Sequence, residues 1–222
     1  MISYKLSNHE IEELELMIPV IEKMYRIQFE RNDLSPISNT DEFCELIIAK
    51  MNLRNVESCT SQQVFNKLRN SFVKHDFIKK DDLRINTELK LIFPQRNRKA
   101  YIKKVEDDLN IKLRILKAPD FILFSLAIIT IISFVLLFIN WKAGILGLGF
   151  SILGYKLCNE FGNELDVLTV KELVETLTRE NYLNLRSEQN TINKKELKNI
   201  LIEWLAENSG IEGEKLKAAT FI

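Results

Sequence analysis

Histidine, cysteine and net charge are all scarce in this chain. Its 222 residues include two histidines and three cysteines, and the formal charge is zero. The neutral balance gives no global attraction to nucleic acid. Cys44, Cys59 and Cys158 stand at neither disulfide-framework nor metal-binding spacing, and an odd, scattered set fits reduced thiols. His9 lies near Glu12 and Glu13, and His75 near Asp76. Neither neighbourhood gathers three ligands, so no metal site is expected. Phosphate loops of the GxGxxG or Walker A type are missing, as is a GxSxG nucleophile pattern. Acidic neighbours such as Asp107 and Asp108 diverge on a helix and do not act together. These absences leave no catalytic residue and no cofactor to expect. The opening residues, MISYKLSNHE, lack the apolar core of a signal peptide, which implies an uncleaved N-terminus.

Apolar residues, by contrast, are concentrated in one place. Residues 121 to 139 read FILFSLAIITIISFVLLFI, nineteen residues without a charge, a proline or a glycine. As a helix this run is roughly 28 Å long, about the hydrocarbon thickness of a bilayer. The hydroxyls of Ser125, Thr130 and Ser133 can bond back to the helix's own carbonyls, and Pro119 suits a first turn. A core helix in so charged a protein would show a polar face. A second run, AGILGLGFSILGY, follows after only Asn140, Trp141 and Lys142. It is short for a span, but Trp141 at one end and Lys156 snorkelling at the other extend it to about 16 or 17 residues. Gly144, Gly147, Gly149 and Gly154 do not suit a solitary helix in water. Gly147 and Ser151 form a small-xxx-small pair, and with Gly144 and Gly154 they make a face for packing against another helix. The expectation is a two-helix transmembrane hairpin with spans at about 120–140 and 143–157. The alternative is one span followed by a re-entrant or interfacial segment.

Charge sets the orientation. Residues 65–117 carry 15 basic and 7 acidic side chains, against 6 and 11 in residues 1–57 and 8 and 12 in residues 158–222. Arg96, Arg98, Lys99, Lys103, Lys104, Lys112, Arg114 and Lys117 precede the first run, and only Lys142 lies in the turn. The positive-inside rule then places both flanks in the cytosol of a bacterium, with the hairpin in its inner membrane. Lys112, Arg114, Lys117, Trp141, Lys142 and Lys156 fall at the interfaces, where each cation near anionic head groups is worth about 1 kcal/mol. Cys158, at the membrane exit, is open to lipidation or to life as an ordinary thiol. Glycine-lined spans also make a homo-oligomer conceivable.

The flanks read as helices. Ser7 and Glu10 have capping-box spacing ahead of a stripe of Ile11, Leu14, Ile18, Ile21 and Tyr25, with a kink expected at Pro19. Residues 32–38 form a loop. Thr40 caps a second helix with Phe43, Leu46, Ile47 and Met51 inward. Thr60 or Ser61 caps a third with Phe65, Leu68 and Phe72 inward. Pro94 opens a fourth with Tyr101, Val105 and Leu109 inward. After the hairpin, Val170, Leu173, Val174 and Leu177 form one stripe, and Leu197, Ile200, Leu201, Trp204 and Leu205 another, stopped by Gly210. The architecture expected is all-α: a helical cytosolic domain at 1–118, the hairpin at 119–158 and a second helical cytosolic domain at 159–222. The second and third helices have the outline of a helix-turn-helix, in which Gln62, Gln63, Asn66, Lys67 and Arg69 would reach DNA. Their connection, NLRNVESCT, is longer than the usual tight turn, and the same residue types suit a solvated face.

Two stretches share a spacing. TSQQVFNKLRNSFVKHDFIKKDDLRINTEL starts at Thr60, and TINKKELKNILIEWLAENSGIEGEKLKAATFI starts at Thr191. Leu68 to Phe72 matches Ile200 to Trp204, Ile78 to Leu83 matches Ile211 to Leu216, and Leu83 to Thr87 matches Leu216 to Thr220. Chance among helical sequences and an internal repeat both account for this. The stretch LKNILIEWLAENSGIEGEKLKAATFI resembles the first helix and following loop of an acyl carrier protein. That family continues to an Asp-Ser-Leu motif whose serine carries phosphopantetheine. Here only Ile222 follows Phe221, and Thr87 is followed by ELKLIFPQRNRK. The resemblance therefore implies degenerate units that carry no acyl chain. The segment from Cys59 to Arg69 also resembles part of certain bacterial membrane proteins of no established activity. The function expected is a non-enzymatic scaffold or adaptor for cytosolic proteins at the membrane, with no nucleic acid among its partners. An acyl-carrier-like docking module and a membrane-tethered DNA binder are the alternatives.

Overall fold

A computed structural model describes residues 4–221; Met1 to Ser3 and Ile222 lie outside it, and with them the very start of the expected N-terminus and the end of the carrier-like stretch. The protein is mostly helical. In chain order the helices are α1 (Asn8–Tyr25), α2 (Thr40–Met51), α3 (Thr60–Lys74), α4 (Leu89–Ile92), α5 (Arg98–Leu109), α6 (Asp120–Ile139), α7 (Trp141–Phe161), α8 (Val170–Glu180), α9 (Tyr182–Leu185), α10 (Lys194–Ser209) and α11 (Gly213–Lys217). Two-residue strands punctuate them: β1 (Tyr4–Lys5), β2 (Arg54–Asn55), β3 (Leu116–Lys117), β4 (Glu164–Leu165), β5 (Thr191–Ile192) and β6 (Ala219–Thr220).

Local signals set several helix ends. The Ser7 side chain accepts from Glu10 N while the Glu10 carboxylate accepts from Ser7 N, a complete capping box for α1. The residue that caps α2 is Asn39 rather than Thr40: its side chain accepts from Glu42 N at 2.9 Å. Pro94 does not open a helix. Pro94 to Asn97 form a turn closed by Asn97 N donating to Pro94 O, and α5 begins at Arg98. Its buried residues are Arg98, Ile102 and Val105, so the face turned inward is not the one centred on Tyr101 and Leu109.

The domain boundaries also differ from those expected at 1–118 and 159–222. The chain divides into two units, one of residues 1–67 with 174–222 and one of residues 68–173, with both boundaries falling inside helices, in α3 and α8. The physical reason is pairing between distant backbone segments. In the first unit β1 pairs in parallel with β6, Tyr4 opposite Ala219, and β2 pairs in parallel with β5, Arg54 opposite Thr191. Neither flank can bury its apolar stripe alone, and together they close one core. Leu14, Met17, Ile21 and Tyr25 of α1 join Phe43, Ile47 and Met51 of α2 and Leu197, Leu201, Trp204 and Leu205 of α10. Ile11 and Ile18, which belong to the same α1 stripe, are only partly covered. The second unit has its own buried residues, including Leu68, Phe72, Leu83, Leu89, Phe93, Val105, Ile115 and Leu173.

One polar network holds the first unit together. The Glu196 carboxylate, on the first turn of α10, accepts from Thr60 N at 2.8 Å and Ser61 N at 3.0 Å. It thereby caps α3 from a residue more than 130 positions away. The fully buried Arg186 side chain donates to Thr60 Oγ1, Thr191 Oγ1 and Ser58 Oγ. Tyr182 OH lies 3.3 Å from both Arg186 Nη1 and a Glu196 oxygen. Burial alone would raise the Glu196 pKa, but the N–H groups of Ser61 and Thr60 outweigh it and hold the carboxyl below its ordinary value of 4.5. Because the folded pKa is depressed, this stabilisation is present above pH 4.5 and is lost as pH falls through the folded value. Removing the carboxylate leaves the Thr60 and Ser61 amides without their acceptor and takes a negative charge from 4.0 Å of the buried guanidinium. Glu196→Ala should therefore cost about 3 kcal/mol, read as a lower urea midpoint with unchanged slope. Glu196→Gln should flatten the loss of stability below pH 4.5, and an acid profile identical to the parent's would contradict the role given to Glu196.

Candidate membrane hairpin and its base

Helices α6 and α7 pack along each other as an antiparallel pair within the second unit. A single residue, Asn140, joins them. It ends α6, its N–H donating to Leu136 O at 2.7 Å, and its side chain accepts from Ala143 N to start α7. The back-bonding hydroxyls are present: Ser125 donates to Phe121 O, Thr130 to Leu126 O and Ser133 to Ile129 O, each at 2.7–2.8 Å. With their hydroxyls satisfied inside the helix, these residues present little polarity outward.

Among the described residues α6 is the one helix long and apolar enough to cross a membrane, and only 11% of its most apolar window is buried. A core helix of a soluble protein would be mostly covered. Instead Phe121, Phe124, Ile131, Phe134, Phe138 and Ile139 are exposed. The expected second span does not meet the same criterion. α7 is longer than the apolar run suggested, 21 residues, but four glycines, Lys142, Lys156 and Glu160 dilute its apolar character. Its outward surface still carries Ile145, Leu146, Phe150, Ile152 and Leu153.

The small residues of α7 face α6. A Cβ on Gly147 would collide with Ser133 Oγ, one on Gly144 would stand 2.7 Å from Leu137, and one on Gly154 would stand 2.7 Å from Leu126. Ser151 is buried on the same side, its hydroxyl donating to Gly147 O. Gly149 is the exception, with open space around its Cβ position.

The base of the pair is closed. β3, just before α6, pairs antiparallel with β4, just after α7, Leu116 opposite Leu165 and Lys117 opposite Glu164. A side chain at Gly162 would fall 2.5–2.7 Å from the backbone of Lys117 and Ala118, so only glycine allows this approach. Beyond the pair, Val170 N donates to Thr87 O, Lys171 N to Ile85 O and Leu89 N to Leu168 O. The chain thus returns to the point from which it left.

The basic residues before α6 divide into distinct roles. Arg98 is not a surface cation. It is buried, donating from Nε to Phe93 O at 3.0 Å and from Nη1 to Asn163 O, and Asn163 Nδ2 donates to Gln95 O. Burial lowers its pKa, with Glu164 opposing. Lys103 pairs with Asp107 and Lys112 with Glu106. Lys99 lies over the Phe161 ring at 5.6 Å, at the last residue of α7. Lys117 Nζ is 3.5 Å from Asp120 and 3.9 Å from Asp166. Arg114 and Lys156 are exposed, and Lys142 Nζ lies 5.9 Å from the exposed Trp141 ring at the far tip.

Other groups singled out in the sequence find different surroundings. His75 pairs with Asp108, not Asp76, at 2.9 Å, and Asp108 also accepts from Lys74 and Ser71. The Lys74 ammonium and the Ser71 hydroxyl hold the Asp108 carboxyl down at about 2. Burial pushes the Cys44 thiol up to about 12, which leaves it unreactive at neutral pH. Of the side chains assigned to a DNA-reading helix, Gln63 accepts from Ser187 N and Lys67 donates to Leu185 O. No three His, Cys, Asp or Glu side chains gather as a metal site among the described residues. Arg98, Asn163, Gly162 and Glu196 carry no local sequence signal for what they do, because their principal partners are bare backbone atoms, most of them more than 40 residues away.

No protein-family model, curated protein or solved structure matches the chain.

The packing of α7 on α6 sets a paired prediction. Gly147→Leu should lower the melting temperature in detergent by about 2–12 °C, from an overpacking cost of about 1–3 kcal/mol. Gly149→Leu should leave it within about 1 °C, because its Cβ position is open.

Proposed function

We propose that the chain is a membrane-anchored, non-enzymatic scaffold whose α6–α7 pair enters the bilayer and whose two helical units lie on the cytosolic face of a bacterial inner membrane. The observation that carries this reading is the exposed apolar surface of α6. Water penalises such a surface by roughly 25 cal/mol per Å² and lipid does not. A second crossing by α7 is supported by its antiparallel packing on α6 and by its length of about 31 Å as a straight helix. The pairing of β3 with β4, β2 with β5 and β1 with β6 supports both flanks lying on one side, since strands cannot pair across a bilayer. The excess of cations before α6, against Lys142 alone at the tip, supports that side being the cytosol. The adaptor role rests on what the units offer: covered helical cores with ion-paired surfaces, and no convergent set of polar groups in a pocket among the described residues.

An acyl-carrier-like docking role is a second reading. It is favoured by the burial of Leu83 in the first of the similar stretches and of Ile211 and Leu216 in the second. Of the matching anchors, Ile78 in the first stretch is only partly covered.

Alkaline carbonate washing followed by high-speed sedimentation should leave the protein in the membrane pellet. In a Cys158→Ser background, the exposed Cys59 and a Lys142→Cys variant should react with an impermeant maleimide from opposite faces of the membrane. Labelling of both from one face would end the two-crossing reading, and recovery in the supernatant would end the anchor. Cross-linking in native membranes that enriches acyl-transfer enzymes would favour the docking role.

A further inference from the structure

In the first unit, α1, the loop before α2, α2 and the C-terminal end enclose an apolar groove of about 200 Å³. Its walls are Ile11, Leu14 and Ile18 of α1, Leu34 and Ile37 of the loop, Phe43 of α2 and Phe221. Phe221 is held in place by its N–H donating to Ser38 O at 2.8 Å. The volume is below the roughly 300–1,000 Å³ of pockets that enclose a small-molecule ligand. It suits apolar side chains inserted from a partner whose backbone stays outside. The groove interrupts the core-facing stripe of α1: Ile11 and Ile18 have the spacing of core residues and are left half-covered.

The rim supplies the second observation. Residues 8–45, which build all the walls except Phe221, carry ten acidic and three basic side chains. Several of these acids serve the fold. Glu10 closes the α1 capping box, Glu22 accepts from Phe29 N, Asp33 pairs with Lys50, and Asp41 and Glu45 pair with Lys198. Glu12 and Glu15 remain exposed one turn apart along the edge of α1, and Glu15 itself lines the groove. An apolar slot edged by negative charge selects a partner that is apolar on one face and basic beside it.

We infer that this groove docks a cationic amphipathic helix of a partner protein, its apolar anchors entering between Ile11, Ile18, Ile37 and Phe221 and its Lys or Arg side chains meeting Glu12 and Glu15. The inference names the kind of partner that the adaptor reading requires, and rests on that reading.

The test uses the full chain in a neutral detergent and two labelled 18-residue helical peptides. Both carry leucine at positions i, i+4 and i+7; one is flanked by lysine and the other by glutamate. The lysine peptide should bind at least about tenfold more tightly than the glutamate peptide, with an affinity that falls as salt rises. The double variant Glu12→Lys/Glu15→Lys alters exposed positions only and should reverse the preference while leaving the circular dichroism spectrum unchanged. Equal affinity for the two peptides, no binding of either, or a double variant with the parent's preference would overturn the inference. Sedimentation separates the two claims. A chain that pellets with membranes but binds neither peptide loses the groove alone, and one that prefers the lysine peptide but stays in the supernatant loses the anchor alone.

Discussion

The closure of the hairpin base is the constraint from which the rest of the structure follows. Two short strands, Leu116–Lys117 and Glu164–Leu165, meet at either end of a helical excursion of more than forty residues. Gly162 lets one backbone rest on the other, and Arg98 spans the join from Phe93 O to Asn163 O. A loop of that length costs entropy to close, but the cost grows only with the logarithm of its length. Packing of α6 on α7 offsets it along the whole pair. With the base closed, the residues before and after the excursion become neighbours. Thr87 can then accept from Val170, and α8 starts against a segment made eighty residues earlier.

The first unit repeats this logic without a hairpin. Its strands come from distant parts of the chain, and a polar network of Glu196 with Arg186 and Tyr182 reaches back to the start of α3. A buried guanidinium is tolerated only because every direction it points in meets an oxygen. A shifted α10 would carry the Glu196 carboxylate away from the Thr60 and Ser61 amides, leaving two helix N–H groups without their acceptor, and away from the Arg186 guanidinium 4.0 Å from it.

How much of this was legible in the sequence depends on the range of each interaction. The capping box of Ser7 and Glu10 spans three residues and could be read directly. The helical character of the flanks and the apolar length of α6 needed only periodicity and composition. Gly144, Gly147 and Gly154 stand out because glycine is scarce and their positions share a helix face; α6 is what they face. Misreadings arose where a local rule met a distant partner. Arg98 looked like one more cation near a membrane, and its buried acceptors are carbonyls on residues that give no sign of the role. Two separate flanking domains looked natural because apolar stripes fall on either side of the hairpin. The parallel pairing of two-residue strands, which merges them, leaves no pattern long enough to detect. The groove on α1 was hidden in a different way: Ile11 and Ile18 keep core spacing, and only the absence of a covering element reveals them as a wall.

The interleaving of the two ends has a consequence for how the protein is made. The first unit cannot complete its core until α10, α11 and β6 have left the ribosome. Translation of residues 174–222 takes roughly 2.5–10 s at about 5–20 residues per second. Throughout that interval α1 and α2 wait with Ile21, Phe43 and Ile47 uncovered, while the greasiest part of the chain has already been synthesised. The helical pair is therefore made before the N-terminal helices can complete their core, and residues synthesised late seal those synthesised early.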